Sequence, residues 1–127
     1  MATTKKRSKP RTGIFLKRAY AAPESGDGTR VLVDGLWPRG LPKDKARIDM
    51  WLKEIAPSAG LRRWFHHDPA RWAEFQRRYR NELLSKADTV DELRRLAGRG
   101  PVTLLFGSRD VDHNNAVVLQ SVLQKRG

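Results

Sequence analysis

The chain has 127 residues, enough for one domain with a modest core. Lys and Arg number 26 against 14 Asp and Glu, a formal net charge of +12, which favours polyanionic partners: nucleic acid, phosphorylated ligands or acidic proteins. The absence of Cys excludes disulfides and thiolate metal sites, and no apolar run approaches the ~20 residues needed to span a bilayer, so a soluble cytoplasmic protein with no membrane partner is expected.

Residues 1–12 read as a disordered basic tail, with Lys5, Lys6, Arg7, Lys9 and Arg11 crowded together and no apolar centre of a signal peptide. The tail is either a solubilising arm or a weak nucleic-acid contact. Residues 13–127 read as a single α/β domain. Ile14 to Tyr20 is a first short strand, and the Pro and Gly of Ala21 to Thr29 make the next segment a loop. Arg30 to Asp34 is a second strand, aliphatic enough to be buried on both faces. Pro38, Gly40 and Pro42 impose an irregular stretch.

A helix is then expected from a cap at Asp44 to about Ile55, because Ile48, Trp51, Leu52 and Ile55 fall on one apolar stripe. Pro57 stops it, and Ser58 caps a short helix with Leu61, Trp64 and Phe65 inward. Asp68-Pro69 restarts the chain as a cap followed by Pro at the first helical position. Trp72, Phe75, Tyr79 and Leu83 line the inner face of the helix that follows. Thr89 and Glu92 predict a capping box for one more helix, ended by Gly98 and Gly100. Pro101 opens a third strand reaching Phe106, and a last helix covers about Val111 to Gln124. The order predicts a mostly parallel sheet of three to four strands, with a helical insertion between the second and third strands and a C-terminal helix. The direction of the first strand stays open, as do a monomer and a homodimer.

Two strands thus end in polar segments, Asp34-Gly35-Leu36-Trp37-Pro38-Arg39-Gly40 and Gly107-Ser108-Arg109-Asp110-Val111-Asp112-His113-Asn114-Asn115. Strand exits of this kind are the usual ligand address of a parallel α/β sheet. Arg39 and Arg109 are candidate anion donors, and Ser108 and Asn114 candidate polar contacts. Asp34 either meets the ligand or pairs with a base, and Trp37 is either a stacking platform or a core plug. His113 is the candidate proton carrier, with Asp110 three residues earlier to orient it. Against this, Asp110 is equally suited to cap the last helix, and Asn114 and Asn115 to satisfy loop carbonyls. His66, His67 and Asp68 are not read as a metal site, because adjacent helical histidines point about 100° apart. The arginines between Arg62 and Arg80 are interleaved with Glu74 and Glu82 and read as a solvated helix face rather than a nucleic-acid surface.

These segments, together with Asp49-Met50-Trp51-Leu52-Lys53-Glu54-Ile55-Ala56-Pro57-Ser58 and Leu61-Arg62-Arg63-Trp64-Phe65-His66-His67-Asp68-Pro69, resemble the YeaO-like branch of a widespread bacterial domain family of unknown function. The likeness spans nearly the whole chain after the tail. It implies a small α/β domain with a largely parallel sheet, and no activity or cofactor. The family pattern has Asp-Arg-Leu-Trp-Pro-Arg-Gly where this chain has Asp34-Gly35-Leu36-Trp37-Pro38-Arg39-Gly40, so a basic side chain near Trp37 is missing. The expected function is a binding or catalytic site for a small anionic ligand, phosphorylated ligands and nucleotides included, at the C-terminal rim of the sheet. A nucleic-acid-binding accessory protein and a non-catalytic interaction module are the alternatives.

Overall fold

The structure, a computed structural model, describes residues 13–125. The reading of residues 1–12 as a disordered basic tail lies outside the described residues. Four strands form one sheet in the order β1-β4-β2-β3: β1 (Gly13–Arg18), β2 (Thr29–Leu32), β3 (Met50–Trp51) and β4 (Pro101–Phe106). All neighbours are parallel. The last strand in sequence therefore lies between the first two, and the chain from β1 to β2 crosses over β4 rather than forming a hairpin.

The register brings the strand exits together. Arg18 pairs with Phe106 and Leu32 with Leu105. The ladder runs on past the strands through Ala19 N–H to Phe106 O (2.8 Å) and Val33 N–H to Leu105 O (3.1 Å). The residues that follow, Asp34 and Gly107, leave the sheet side by side.

Alternation along the strands divides the sheet into two different faces. Ile14, Val31, Val33, Val102, Leu104 and Phe106 face the larger core. There they meet α2 (Ala59–Phe65), α3 (Trp72–Leu84), α4 (Ala87–Arg99) and α5 (Asn115–Gln124), whose buried side chains include Leu61, Phe75, Leu93 and Leu119. Each such aliphatic side chain contributes about 1.5–3 kcal/mol by leaving water. Phe65 and Phe75 stack at 4.3 Å, and the fully buried Tyr79 donates its hydroxyl to Ile55 O (2.6 Å). The opposite face is smaller and half polar. Ala19, Leu32 and Leu105 pack under Trp37, Leu41, Ile48 and Trp51. Beside them the buried Arg30 donates to Asp27 Oδ2 (2.5 Å) and to the carbonyls of Ala46 (2.8 Å) and Arg47 (2.9 Å).

Arg30 also explains a departure from the expected secondary structure. The helix predicted from Asp44 to Ile55 is only α1 (Lys43–Ala46), and its N-cap is Pro42 rather than Asp44. Continuing it would need the Ala46 and Arg47 carbonyls as intrahelical acceptors, and the Arg30 guanidinium holds both. Arg47 turns into the left-handed region (φ 48°), and Met50–Trp51 pairs with β2 as an edge strand. The apolar stripe is divided accordingly: Ile48 and Trp51 cover the small face, while Leu52 and Ile55 reach the large core.

Two further boundaries move. α4 starts at Ala87, with Lys86 as its N-cap, so Thr89 and Glu92 lie inside the helix and form no capping box; Gly98 is internal and Gly100 ends it. α5 begins at Asn115 rather than Val111, and its cap is Asn114, whose Oδ1 accepts from Ala116 N–H (2.9 Å) and Val117 N–H (3.2 Å). Ser58 and Asp68-Pro69 act as the sequence predicts, with Ser58 Oγ accepting from Leu61 N–H (3.1 Å) and Asp68 Oδ1 from Ala70 N–H (3.0 Å).

Candidate functional site

A hollow of about 530 Å³ opens at the C-terminal rim of the sheet, between the 34–39 segment, the 107–115 segment and the end of α2. Its floor is tied together by Asp34. The carboxylate Oδ2 accepts from Gly107 N–H (2.9 Å), and Asn115 hydrogen-bonds the same side chain while donating to Val33 O (3.0 Å). Trp51 Nε1 donates to Asp34 O (2.8 Å). Asp34 thus links both strand exits to the first residue of α5. Burial pushes its carboxyl above the ordinary value; the Gly107 and Asn115 donors and the nearby His67 and Arg62 charges offset that only in part.

The other wall is held from β1. Arg18 Nε donates to Ser108 O (2.9 Å) and Nη2 to Gly107 O (3.2 Å), which fixes the turn that carries Arg109. Tyr20 stacks under the Arg18 guanidinium (4.8 Å) and donates its hydroxyl to Arg39 O (2.8 Å), bridging the two segments across the mouth.

Of the side chains singled out from the sequence, Asp34, Trp37, Arg39, Ser108, Arg109, Asp110 and Asn114 line this hollow, and His113 does not. His113 Nδ1 meets Asp110 Oδ2 at 2.9 Å, so the expected pair forms, but not along a helical face. Asp110 Oδ1 accepts from the amides of Asp112 (3.0 Å) and His113 (3.1 Å), folding the loop back on itself one turn before the helix. Those amide donors, with His113, hold the Asp110 carboxyl below its ordinary value. The His113 ring stands edge-on to Trp72 (5.1 Å, 87°), outside the hollow. Asn114 is buried, with Oδ1 capping α5 and Nδ2 donating to Asp110 O (2.9 Å). Trp37 donates its indole N–H to Leu41 O (2.8 Å) and meets the Trp51 ring edge-to-face (5.4 Å, 68°).

Two residues that the sequence assigned to other roles, Arg62 to a solvated helix face and His67 to a helix end with no metal, also reach the hollow. Arg62 projects from α2, and a Cβ added at Gly35 would lie 3.3 Å from its Nη1. Gly35 therefore leaves room for the arginine of another element. His67 arrives because His66 (φ 43°) and His67 (φ 53°) both adopt left-handed conformations that turn the chain at the end of α2. Helical periodicity cannot show this, since it describes only the helix that the turn interrupts. Arg39, Arg62 and Arg109 make no hydrogen bond or ion pair with a described side chain, and all three are exposed.

The arginines of α3 and of the turn before it contrast with these. Arg77 and Arg78 pair with Glu74, Arg78 and Arg71 lie over the Trp64 ring, and Arg80 donates to Ser121 Oγ (3.2 Å). Among the described residues no cluster of three or more His, Asp or Glu could hold a metal ion, and no helix is long and apolar enough to cross a membrane.

Residues 13–126 match a family described as the inactive DUF488-N3 subclade. The chain belongs to that family. An uncharacterised protein of Mycobacterium tuberculosis is 44% identical over 115 residues, covering 91% of this chain and 97% of the relative. A counterpart in Mycobacterium bovis has the same identity and coverage. The uncharacterised protein YeaO of Escherichia coli is 40% identical over 111 residues, covering 87% of this chain and 96% of its own length, which bears out the YeaO-like resemblance. No solved structure matches this chain.

Proposed function

We propose that the hollow at the sheet rim is a binding site for a small anionic ligand, used without turnover. The carrying observation is that Arg39, Arg62 and Arg109 come from three separate segments, line one hollow, and make no side-chain hydrogen bond or close ion pair among the described residues, Arg62 acting on the Asp34 carboxylate only through its charge. Guanidinium groups free in this way offer planar paired donors to a phosphate or carboxylate. The elements beneath them are fixed, by Asp34 below and by Arg18 and Tyr20 at the side, so that little ordering remains for binding. The absence of turnover rests on two points. The family description is of an inactive subclade, and His113, the candidate proton carrier, lies outside the hollow. In this reading the Asp110–His113 pair is a positioning pair that sets the loop bearing Arg109.

A thermal-shift measurement with inorganic phosphate and pyrophosphate tests the reading. Ligand at a hundred times its Kd stabilises by about 2.7 kcal/mol, a rise of several degrees in Tm. That rise is expected to shrink as salt screens the exposed arginines. It is expected to vanish in the Arg39→Ala/Arg109→Ala double variant while the ligand-free Tm stays put. No rise with either anion, or an undiminished rise in the double variant, would refute the site.

A further inference from the structure

The hollow is polar at both ends, but in opposite senses. Its floor offers acceptors alone. The Asp34 carboxylate has no proton donor of its own when ionised, and Gly107 N–H and Asn115 occupy only part of its acceptor capacity. Asn115 Nδ2 is committed to Val33 O and Asp34, and its Oδ1 accepts from no described residue. The donors at the rim without a side-chain partner are Arg39, Arg62 and Arg109, whereas the Asp110 carboxylate there is already held by the Asp112 and His113 amides and the His113 ring. Between floor and rim the walls are apolar, with Leu36, Trp37, Pro57 and Phe65 among them. Leu36 is 64% exposed, a large aliphatic side chain left uncovered at the mouth.

A bare inorganic anion would satisfy the rim, leave the floor acceptors facing water and leave Leu36 bare. The volume, about 530 Å³, falls among sites that enclose an organic ligand. Resting on the anion reading above, we infer that the ligand is an amphoteric phosphomonoester of nucleoside-monophosphate size. Its phosphate lies at the arginine rim. An apolar-faced ring places N–H donors, of the kind guanine presents, against Asp34 and Asn115. Burial disfavours the Asp34 charge, so a ring N–H donated to that carboxylate stabilises it.

The probes are guanosine 5′-monophosphate, its ring-N-methylated analogue, guanosine and inorganic phosphate, each titrated calorimetrically into the full chain. The nucleotide is expected to bind at least about tenfold more tightly than phosphate, and methylation is expected to remove about tenfold or more, the worth of a hydrogen bond to a charged group. Asp34→Asn should weaken the nucleotide by a similar factor beyond whatever change it makes in phosphate affinity, so the ratio of the two affinities is the readout. Because the methylated probe is measured on the unaltered protein, a misfolded variant does not shield the inference. Equal affinity for phosphate, nucleotide and methylated nucleotide would overturn it while the anion site stood. Binding of guanosine but not of phosphate, or no binding at all, would overturn both.

Discussion

Asp34 holds the floor of the hollow, and its titration should be visible in folding. Burial is the largest influence on its carboxyl and raises it above the ordinary 3.8, with the surrounding donors and cations only partly opposing. A raised acid keeps a proton in the folded chain that the unfolded chain has already released. Its contribution to stability is therefore complete below 3.8 and is lost as pH climbs from there through the raised folded value. Asp34→Asn has nothing to titrate at this position. The stability of the wild type minus that of the variant should accordingly fall across this window, measured by urea denaturation at stepped pH. A difference that is flat or rises with pH would contradict the burial argument. At the same scale, Gly35 and Arg62 show how one missing side chain alters a site: without a Cβ at position 35, the guanidinium of α2 comes within reach of the strand exit.

Among the elements, the connection from β1 to β2 has the least freedom. It must cross β4 within residues 19–28, and Gly28 makes the final turn at φ +67°, where an added Cβ would lie 2.1 Å from the Pro101 carbonyl oxygen. Neither the conformation nor the space admits a side chain, and the obstacle is backbone, which cannot swing aside. Gly28→Ala is expected to cost about 3 kcal/mol or more in chemical denaturation. Gly26→Ala, two residues earlier and with nothing within 4 Å of its added Cβ, should cost under about 1 kcal/mol. Similar losses for the two would mean that the crossing is looser than described. Where sequence periodicity failed, it failed at this scale too. Ile48, Trp51, Leu52 and Ile55 have helical spacing, yet they serve two opposite faces of the sheet because Arg30, far away in sequence, claims the carbonyls a helix would need.

At the scale of the whole molecule, β4 completes the sheet. It pairs with both β1 and β2, which do not pair with each other, and α5 that follows it seals the larger core. The pairing of Gly13 with Pro101 joins segments near opposite ends of the chain, so ordering must await the last quarter of the sequence. A chain ending at Gly100 is expected to show no cooperative unfolding transition by circular dichroism; a sharp transition would show that the first two strands and the helices hold together unaided. The same topology creates the hollow, since only a central β4 brings Gly107 alongside Asp34.

Local physics was legible in the residues themselves. Ser58 and Asp68 cap where short polar side chains precede helical runs, the 72–83 stripe points inward, and three of the four strands are apolar runs bounded by glycine and proline. So was the meeting of two polar strand exits, because parallel strands must end on the same side. Tertiary structure alone decided the rest: that β4 enters between β1 and β2, that Met50–Trp51 is an edge strand, that Arg62 and His67 reach the hollow, and that His113 does not. Each of these depends on a partner distant in sequence, and periodicity, caps and turn residues report only on neighbours within a few positions along the chain.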